Sequence, residues 1–432
     1  MRGVPKTILA VSLLSACASD RDASVALVTG EETDVFSRAP AATSMVVESV
    51  DLDGKVTELS RRAAPFGELD LGDHGESDVA ALRIRAFDAT NKLVVAGESL
   101  YFQYGALAEG TLEVFVQRTG ELARMPNAPV STFDAPLADV LLGRYVILVK
   151  GTSVSLYDLL GLRALQTPPV FKRTAASITS YGSTALVIDA GGASSFDLST
   201  GEEVDVAAPE GGNYAEIAGG QTVRAKDGSS FVVGATRDGA PSGRVLRLSK
   251  DGQLSFASLV VPRAGACATW IEGRGLVVYG GGNANDPAAE GLVDGATTAA
   301  PLALPPDAVK GCGIAGLDGG KIVVAGGKGA AGDTGAGLPA RVFDLACGSN
   351  CVAQNGQTVV PLVRAQALSV AGDAALFVGD DASGATKAFR ATAGELREVP
   401  LKIGRRGARI VPLPTHAVGV VGGSAVVESY RE

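Results

Sequence analysis

Leu276-Val277-Val278-Tyr279-Gly280-Gly281 is a short apolar stretch that ends in a glycine pair, and Ile322-Val323-Val324-Ala325-Gly326-Gly327 repeats it 46 residues later. Similar runs end in small or glycine residues near five other positions, so the series recurs every 40 to 53 residues: Gly151, Gly191, Gly234, Gly379 and Gly422. That period is typical of propeller blades, which are four-stranded units that bury their faces by stacking around an axis. The repeat therefore predicts the architecture of most of the chain.

The repeats also end in a recognisable fourth strand, Gly394-Glu395-Leu396-Arg397-Glu398-Val399-Pro400 being one example. The last repeat stops after its third strand, 425–430, and Gly120-Glu121-Leu122-Ala123-Arg124-Met125-Pro126 matches the missing element far upstream. We therefore predict that residues 111–432 form a seven-bladed propeller closed by its N- and C-terminal strands, which removes exposed sheet edges. Six blades are the alternative if the degenerate first repeat belongs to the linker.

Composition favours an all-β fold. The chain has 56 glycines in 432 residues, nearly double the usual ~7%, and short β-branched runs replace helix-period stripes. Strand patterns such as the alternating run 81–87 predict a separate small β-sandwich over residues 44–110. The net charge of −9 argues against a nucleic-acid partner, because binding phosphates requires a concentrated basic surface.

The N-terminus predicts export. Arg2 and Lys6 precede an apolar run that is too short to span a membrane, so residues 1–16 are interpreted as a signal peptide. Leu14-Ser15-Ala16-Cys17 resembles the lipobox of bacterial lipoproteins, which implies lipidation of Cys17, a membrane anchor there and a tether over 17–43. The alternative is an ordinary secretory signal with an incidental cysteine. Neither Ala18 nor Ser19 resembles the Asp that retains lipoproteins at the inner membrane in enteric bacteria, which favours the outer membrane or cell surface.

The four other cysteines predict disulfides, since an even number in an exported protein favours bridges over free thiols. Cys347 and Cys351 flank turn residues and predict a local bridge. Cys267 and Cys312 precede equivalent strands of consecutive repeats and predict a bridge between neighbouring blades. A zinc site is the rival interpretation, but both histidines, His74 and His416, are remote in sequence, so we expect no metal site.

The glycine pairs after Tyr279 and Ala325 resemble the signature of kelch repeats, and the resemblance covers roughly 113–432. It implies positive φ and close backbone approach at the end of the second strand of a blade. The Tyr and Trp that usually follow the pair are absent, and Gly234 and Gly379 stand alone. Some kelch-like propellers are copper radical oxidases, but their two-histidine site is not available here, and no cofactor is expected.

Catalytic motifs are not found in the sequence: no sialidase Asp box, no phosphate-binding glycine pattern before a helix and no nucleophile elbow. We therefore expect a protein that is not an enzyme. The alternative is an enzyme acting on an extracellular glycan through channel carboxylates.

Five basic residues stand just before the first strands of successive repeats, 15 to 18 residues ahead of the glycine landmarks: Arg173, Arg263, Lys310, Arg364 and Arg406. Equivalent positions form a ring at one end of a propeller channel, where guanidinium and ammonium groups would attract anions. The competing interpretation is that each side chain pins a neighbouring blade. The ring predicts a cell-envelope binding module for a surface polymer, such as an anionic glycan, or for an envelope protein; a purely structural envelope component is a further alternative.

Overall fold

The computed structural model describes residues 24–66, 69, 75, 77–107, 110–128, 130–329, 338–347, 351, 354–371 and 373–432. The predicted signal peptide 1–16, Cys17 and His74 lie outside these ranges. The fold is all-β, as predicted, with four short 3₁₀ turns in the described part: Tyr104–Leu107, Tyr214–Glu216, Gly234–Thr236 and Asp318–Gly320. None of the helical segments in these ranges is long and apolar enough to cross a membrane.

The first seven strands are β1 (Ser24–Val28), β2 (Ser44–Asp51), β3 (Val56–Ala63), β4 (Val79–Phe87), β5 (Leu93–Glu98), β6 (Phe102–Gln103) and β7 (Thr111–Arg118). They form one sheet, which we call the N-terminal sheet, in the order β1-β7-β5-β4-β2-β3 with β6 paired to β4. β1 pairs with β7 in parallel. A single sheet does not confirm the two-sheet sandwich that the strand patterns predict.

Two strands of this sheet lie outside the predicted unit 44–110. β1 lies inside the segment 17–43, which the sequence assigns to the tether, and β7 lies beyond the predicted end of the unit at residue 110. β1 is an edge strand that joins the sheet only through its parallel pairing with β7, more than 80 residues later, whereas β7 also pairs with β5. Local alternation of apolar residues cannot reveal such long-range pairing.

The remaining strands supply seven four-stranded sheets, which are the blades. Blade 7 closes the ring and includes β8 (Glu121–Arg124). Blade 1 contains β9 (Leu137–Leu141), β10 (Tyr145–Asp158), β11 (Arg163–Ala164) and β12 (Val170–Ala175); blade 2, β13 (Ser177–Tyr181), β14 (Thr184–Asp189), β15 (Gly192–Asp197) and β16 (Glu203–Val206); blade 3, β17 (Gln221–Arg224), β18 (Ser230–Val233), β19 (Ser242–Leu248) and β20 (Leu254–Arg263).

Blade 4 contains β21 (Cys267–Ile271), β22 (Gly275–Tyr279), β23 (Ala289–Leu292) and β24 (Ala300–Pro301); blade 5, β25 (Gly313–Leu317), β26 (Lys321–Ala325), β27 (Leu338–Asp344) and β28 (Gln354–Val360); blade 6, β29 (Gln366–Ala371), β30 (Ala374–Asp380), β31 (Thr386–Thr392) and β32 (Leu396–Glu398). Blade 7 takes β33 (Arg409–Leu413), β34 (Ala417–Val421) and β35 (Glu428–Arg431) from the end of the chain, and β8 from its front.

The ring closes as the sequence predicts. β35 pairs antiparallel with β8, with Tyr430 opposite Leu122, so the upstream segment supplies the missing fourth strand of the last blade. Both of these side chains are almost fully buried, at 0% and 1% exposure. The prediction of seven blades is confirmed. The six-blade alternative is wrong, because the degenerate first repeat forms a blade of its own.

The glycine pair Gly280-Gly281 shows why the repeat ends as it does. Both residues have φ of 72°, a left-handed conformation that side chains rarely adopt. A Cβ on Gly280 would lie 2.3 Å from the carbonyl oxygen of Val309, and one on Gly281 would lie 2.8 Å from the amide nitrogen of Ala266. Glycine therefore lets the loop after the second strand touch the segments that lead into first strands of two blades.

These contacts define one face of the propeller. The entry face, as we call it, carries the turns that enter the first strand of each blade and the loops that join second and third strands. The N-terminal sheet contacts blade 7 elsewhere: the Gln117 amide donates to the Ser429 carbonyl in β35 at 2.9 Å. His416, in the turn from β33 to β34 on the opposite face, lies 2.7 Å from the Glu98 carboxylate.

Candidate functional site

A cavity of about 210 Å³ opens at the centre of the entry face, and we call it the channel mouth. All seven blades contribute to its wall, because each first strand begins there. The charged side chains in that wall are Arg237, Asp238, Arg364 and Arg409. The lining holds three cations and one carboxylate, and Asp380 behind it pairs with Arg364, which leaves a small positive excess in a chain whose net charge is −9.

The predicted basic ring is only partly realised at this mouth. Of its five members, Arg364 lines the cavity, with its side chain 56% exposed and a guanidinium nitrogen 2.9 Å from the Asp380 carboxylate. Lys310 and Arg406 are exposed on the entry face outside the lining. The backbone of Lys310 forms an isolated antiparallel bridge with the backbone of Lys328.

Arg263 has the structural role that the competing interpretation assigned to it. Its side chain is fully buried and 3.0 Å from the equally buried Glu290. It also donates to the carbonyl oxygens of Gly280, at 2.8 Å, and Pro287, at 2.7 Å, in the loop after the second strand of blade 4. Arg263 therefore ties the turn that enters blade 4 to that blade's own loop and is not available to a ligand.

Arg173 lies away from the channel. It pairs with Asp205 at 2.7 Å and with Asp189 at 3.4 Å. Arg173 and Asp205 line an open groove at blade 2 and do not line the channel mouth. Side chains at equivalent positions of the repeat therefore lie in three different environments: the buried interior, the periphery and the wall of the channel.

In blade 7 the buried counterpart of Arg263 is Arg405, one residue before the predicted Arg406. Arg405 and Glu428 are both fully buried and lie 2.6 Å apart. Burial lowers the pKa of Arg405 and raises the pKa of Glu428. Sequence reasoning chose between two adjacent arginines by distance from a glycine landmark, and that distance varies by a few residues among the blades.

Arg409 is the channel-mouth residue that sequence reasoning missed. It is the first residue of β33 and is partly buried in the wall of the mouth. Burial lowers the pKa of its guanidinium. The other six first strands begin with an uncharged residue, so a basic residue at this position is the signal that could have identified Arg409.

The channel continues to the opposite face as a second cavity of about 590 Å³. Its wall includes Arg224, which reaches Asp139 at 2.7 Å and bonds to the Ser180 hydroxyl, so first strands of blades 3, 2 and 1 are linked. Trp270 also lines this cavity and stacks on Phe231, with ring centroids 5.3 Å apart. The charges of this wall are therefore mostly engaged within the fold.

Both predicted disulfides form. Cys267, the first residue of β21, and Cys312, directly before β25, join blades 4 and 5 at the channel, with Cα atoms 5.6 Å apart. Cys347 and Cys351 close a local loop between β27 and β28, with Cα atoms 5.7 Å apart. In the described ranges no group of three or more His, Cys, Asp or Glu side chains could hold a metal ion.

Comparisons with known proteins show a similarity of fold only. No family model matches the chain, and no curated protein matches it. A chain of the Mitotic Checkpoint Complex is 12% identical at a TM-score of 0.45, covering 72% of this chain and 95% of that one. The N-terminal domain of Nup159 is 11% identical (TM-score 0.41; 72% and 93% covered), and the computationally designed Ika8 protein is 14% identical (TM-score 0.37; 84% and 95% covered).

The fold holds the carboxylate of Asp380, which lies behind Arg364 at the channel mouth. Asp380 is 1% exposed; one oxygen accepts from the Thr386 hydroxyl at 2.9 Å and the Gly407 amide at 2.8 Å, and the other from Arg364. These bonds fix the turn that enters blade 7. The arrangement offers a small cationic cavity with neutral hydrogen-bonding groups around it, which suits recognition of an anionic group.

Proposed function

We propose that this chain is a bacterial cell-envelope lipoprotein whose kelch-like propeller acts as a binding module through the entry face. Its ligand is a surface polymer or a protein partner. The observation that carries the proposal is the channel mouth, where three arginines and one aspartate line a cavity shared by all blades. A positive mouth on an acidic protein concentrates anionic partners there.

The position of the N-terminal sheet supports this use of the entry face. The sheet contacts the outer strands of blade 7 and its β33–β34 turn, away from the mouth. A tether that precedes β1 would then reach the membrane from the side of the N-terminal sheet. The channel mouth would remain accessible to molecules outside the membrane.

We also propose that the protein is not an enzyme. Asp380 and Asp139 both accept several hydrogen bonds from the fold itself, and Asp238 is the one carboxylate among the residues that line the mouth. These hydrogen bonds support a structural role for Asp380 and Asp139. Glycoside hydrolysis needs a pair of free carboxylates, and the described residues that line the channel offer no such pair.

Binding of the full-length chain, purified in mild detergent, to an array of acidic and neutral glycans at two salt concentrations tests the binding proposal. A hit that weakens with salt supports recognition by the cationic mouth. If no glycan binds at either concentration, recognition of a polymer is refuted, and crosslinking on intact cells would then distinguish a protein partner from a purely structural component.

The proposed localisation in the cell envelope and the lipid anchor depend on the lipobox resemblance at Cys17. The two disulfides support an oxidising compartment. Metabolic labelling with a fatty acid tests the anchor. The wild-type chain should carry the label and remain in the membrane fraction, whereas Cys17→Ser should carry none and become soluble. Equal labelling of the two proteins would refute lipidation at this position.

A further inference from the structure

We propose that Arg409 is the anchor of a binding site for one carboxylate group of an acidic polysaccharide, and that Arg364, Gln221 and Gln366 complete the site in the channel mouth. The inference rests on the proposed binding function and specifies its ligand and residues. It starts from the difference between Arg409 and the other arginines of the channel, each of which already has partners in the fold.

Each of the other channel arginines has a partner on another part of the chain. Arg224 is paired with Asp139, and Arg364 with Asp380. Arg237 donates to the carbonyl oxygens of Ala215, at 2.7 Å, and Ala240, at 3.1 Å. Arg409 has one hydrogen bond in the described part of the chain, to the Ala408 carbonyl at 3.2 Å, and no carboxylate there lies within 4.0 Å of it. Its remaining donors face the cavity that it lines.

The backbone around Arg409 is held firmly. The Gly407 amide donates to Asp380 at 2.8 Å, and the Ala408 amide donates to the Thr386 hydroxyl at 3.2 Å. Burial lowers the pKa of Arg409, which supports the view that its charge is poorly solvated. Asp380, Asp134 and Asp238 act on this guanidinium only from a distance, with no ion-pair contact. A fixed, partly desolvated guanidinium of this kind binds an anion with little reorganisation, because its desolvation has already occurred during folding.

The neutral groups of the mouth favour a sugar acid. Gln366 accepts the Ile410 amide through Oε1 at 3.2 Å, so its amide nitrogen is left to donate into the cavity. Gln221 lines the same cavity, and its side chain has no hydrogen bond to any residue in the described ranges. Amide donors and acceptors beside one cation match the hydroxyls that surround the carboxylate of a uronic acid.

The size of the mouth limits what enters it. Pockets that enclose a drug-sized ligand measure roughly 300–1,000 Å³, whereas the mouth holds about 210 Å³. It therefore takes one charged residue of a longer chain, and the rest of that chain runs over the entry face. Exposed Lys310 and Arg406 lie on this face and would meet further charges of the polymer.

The test measures binding of a fluorescent oligogalacturonate to the full-length chain in detergent, by anisotropy, with methyl-esterified oligogalacturonate, dextran and polyglutamate as competitors. We expect only the free-acid oligosaccharide to compete. Arg409→Gln should weaken binding on the order of tenfold to a hundredfold, because a charged hydrogen-bond partner is lost. Arg173→Gln is the matched control: it removes the same charge from a site outside the mouth and should leave binding unchanged.

A second variant covers the case in which Arg409→Gln does not fold. Gln366→Glu keeps the acceptor for the Ile410 amide and places a carboxylate beside Arg409, so it should compete with the ligand internally and abolish binding while raising the thermal midpoint. Unchanged binding in either folded variant overturns the site but leaves the binding function intact. Competition by polyglutamate alone overturns the sugar-acid class, and failure of the wild-type chain to bind any probe overturns the proposed function itself.

Discussion

Replacing Arg405 with Met tests the structural role of the buried ion pairs. In the wild type, Arg405 donates to the carbonyl oxygens of Val420, at 3.2 Å, and Val426, at 3.1 Å, as well as to the Glu428 carboxylate at 2.6 Å. Methionine fills similar space but leaves these acceptors buried without that donor. Breaking a buried ion pair by removing one partner costs about 3–5 kcal/mol, so we expect the thermal midpoint of the propeller to fall by roughly 5 °C or more.

The pH dependence of the variant identifies the cause. Burial raises the pKa of Glu428 above its usual value even in the presence of Arg405, and loss of the cation raises it further. A carboxyl whose folded pKa is raised contributes stability below its unfolded pKa and loses that contribution as the pH rises through the folded pKa. The defect of Arg405→Met should therefore be large at pH 7 and shrink as the pH falls towards about 4.5.

Thermal unfolding followed by circular dichroism at several pH values measures this effect. The double variant Arg405→Met, Glu428→Gln is the control, because it removes the orphaned charge and should recover part of the lost stability at pH 7. Arg406→Met, one residue along and exposed, should change the midpoint little. The reasoning is refuted if Arg405→Met unfolds like the wild type, or if its defect is the same at pH 7 and pH 5.

Three further expectations concern closure, the disulfide at the channel and the contact with the N-terminal sheet. Leu122→Ala, in the closing strand at 1% exposure, should cost about 2–5 kcal/mol; a loss below 1 kcal/mol in denaturant titration would contradict a packed closure. Replacing Cys267 and Cys312 by Ser opens a loop of 45 residues and should cost about 4 kcal/mol in the chain-entropy model; a reductant should then no longer lower the thermal midpoint through this bridge. Although burial opposes it, the hydrogen bond from His416 helps to lower the pKa of Glu98, so the contact stabilises the protein above the unfolded pKa and is lost as the pH falls through the folded one. In the wild type, the backbone amides around Glu98 and His416 should therefore exchange their hydrogens more readily in acid, relative to the rest of the fold. Glu98→Gln should remove that pH dependence.

The sequence predicted the propeller well because its signals are local and repeated. A strand ending in Gly280-Gly281 needs glycine for a steric reason that recurs in each well-formed blade, and the period counts the blades. The closing strand was predictable since Leu122 follows the same pattern as the fourth strands of complete blades. The pairing of β1 with β7 was not, because it depends on contacts between distant segments that share no pattern.

The candidate site was less predictable, because the same residue type serves opposite purposes at neighbouring positions. Arg405 and Arg409 are four residues apart and both come before or at the start of a first strand. Arg405 faces Glu428 inside the blade, where its charge is neutralised and its donors are used. Arg409 faces the cavity with one hydrogen bond to the described residues. Only the position of a carboxylate on another strand distinguishes them, and that is a tertiary property.

In the binding site that we propose, the buried ion pairs would also help to position Arg409. The turn that enters blade 7 is fixed on one side by Arg405 and Glu428 and on the other by Asp380, which binds the Gly407 amide. Arg409 follows directly, so its guanidinium is positioned by two buried anions that it does not itself contact within 4.0 Å. These bonds hold the backbone of Arg409 in place. In the proposed site the buried pairs therefore position Arg409 for its ligand, and loosening the turn should weaken binding even where Arg409 is intact.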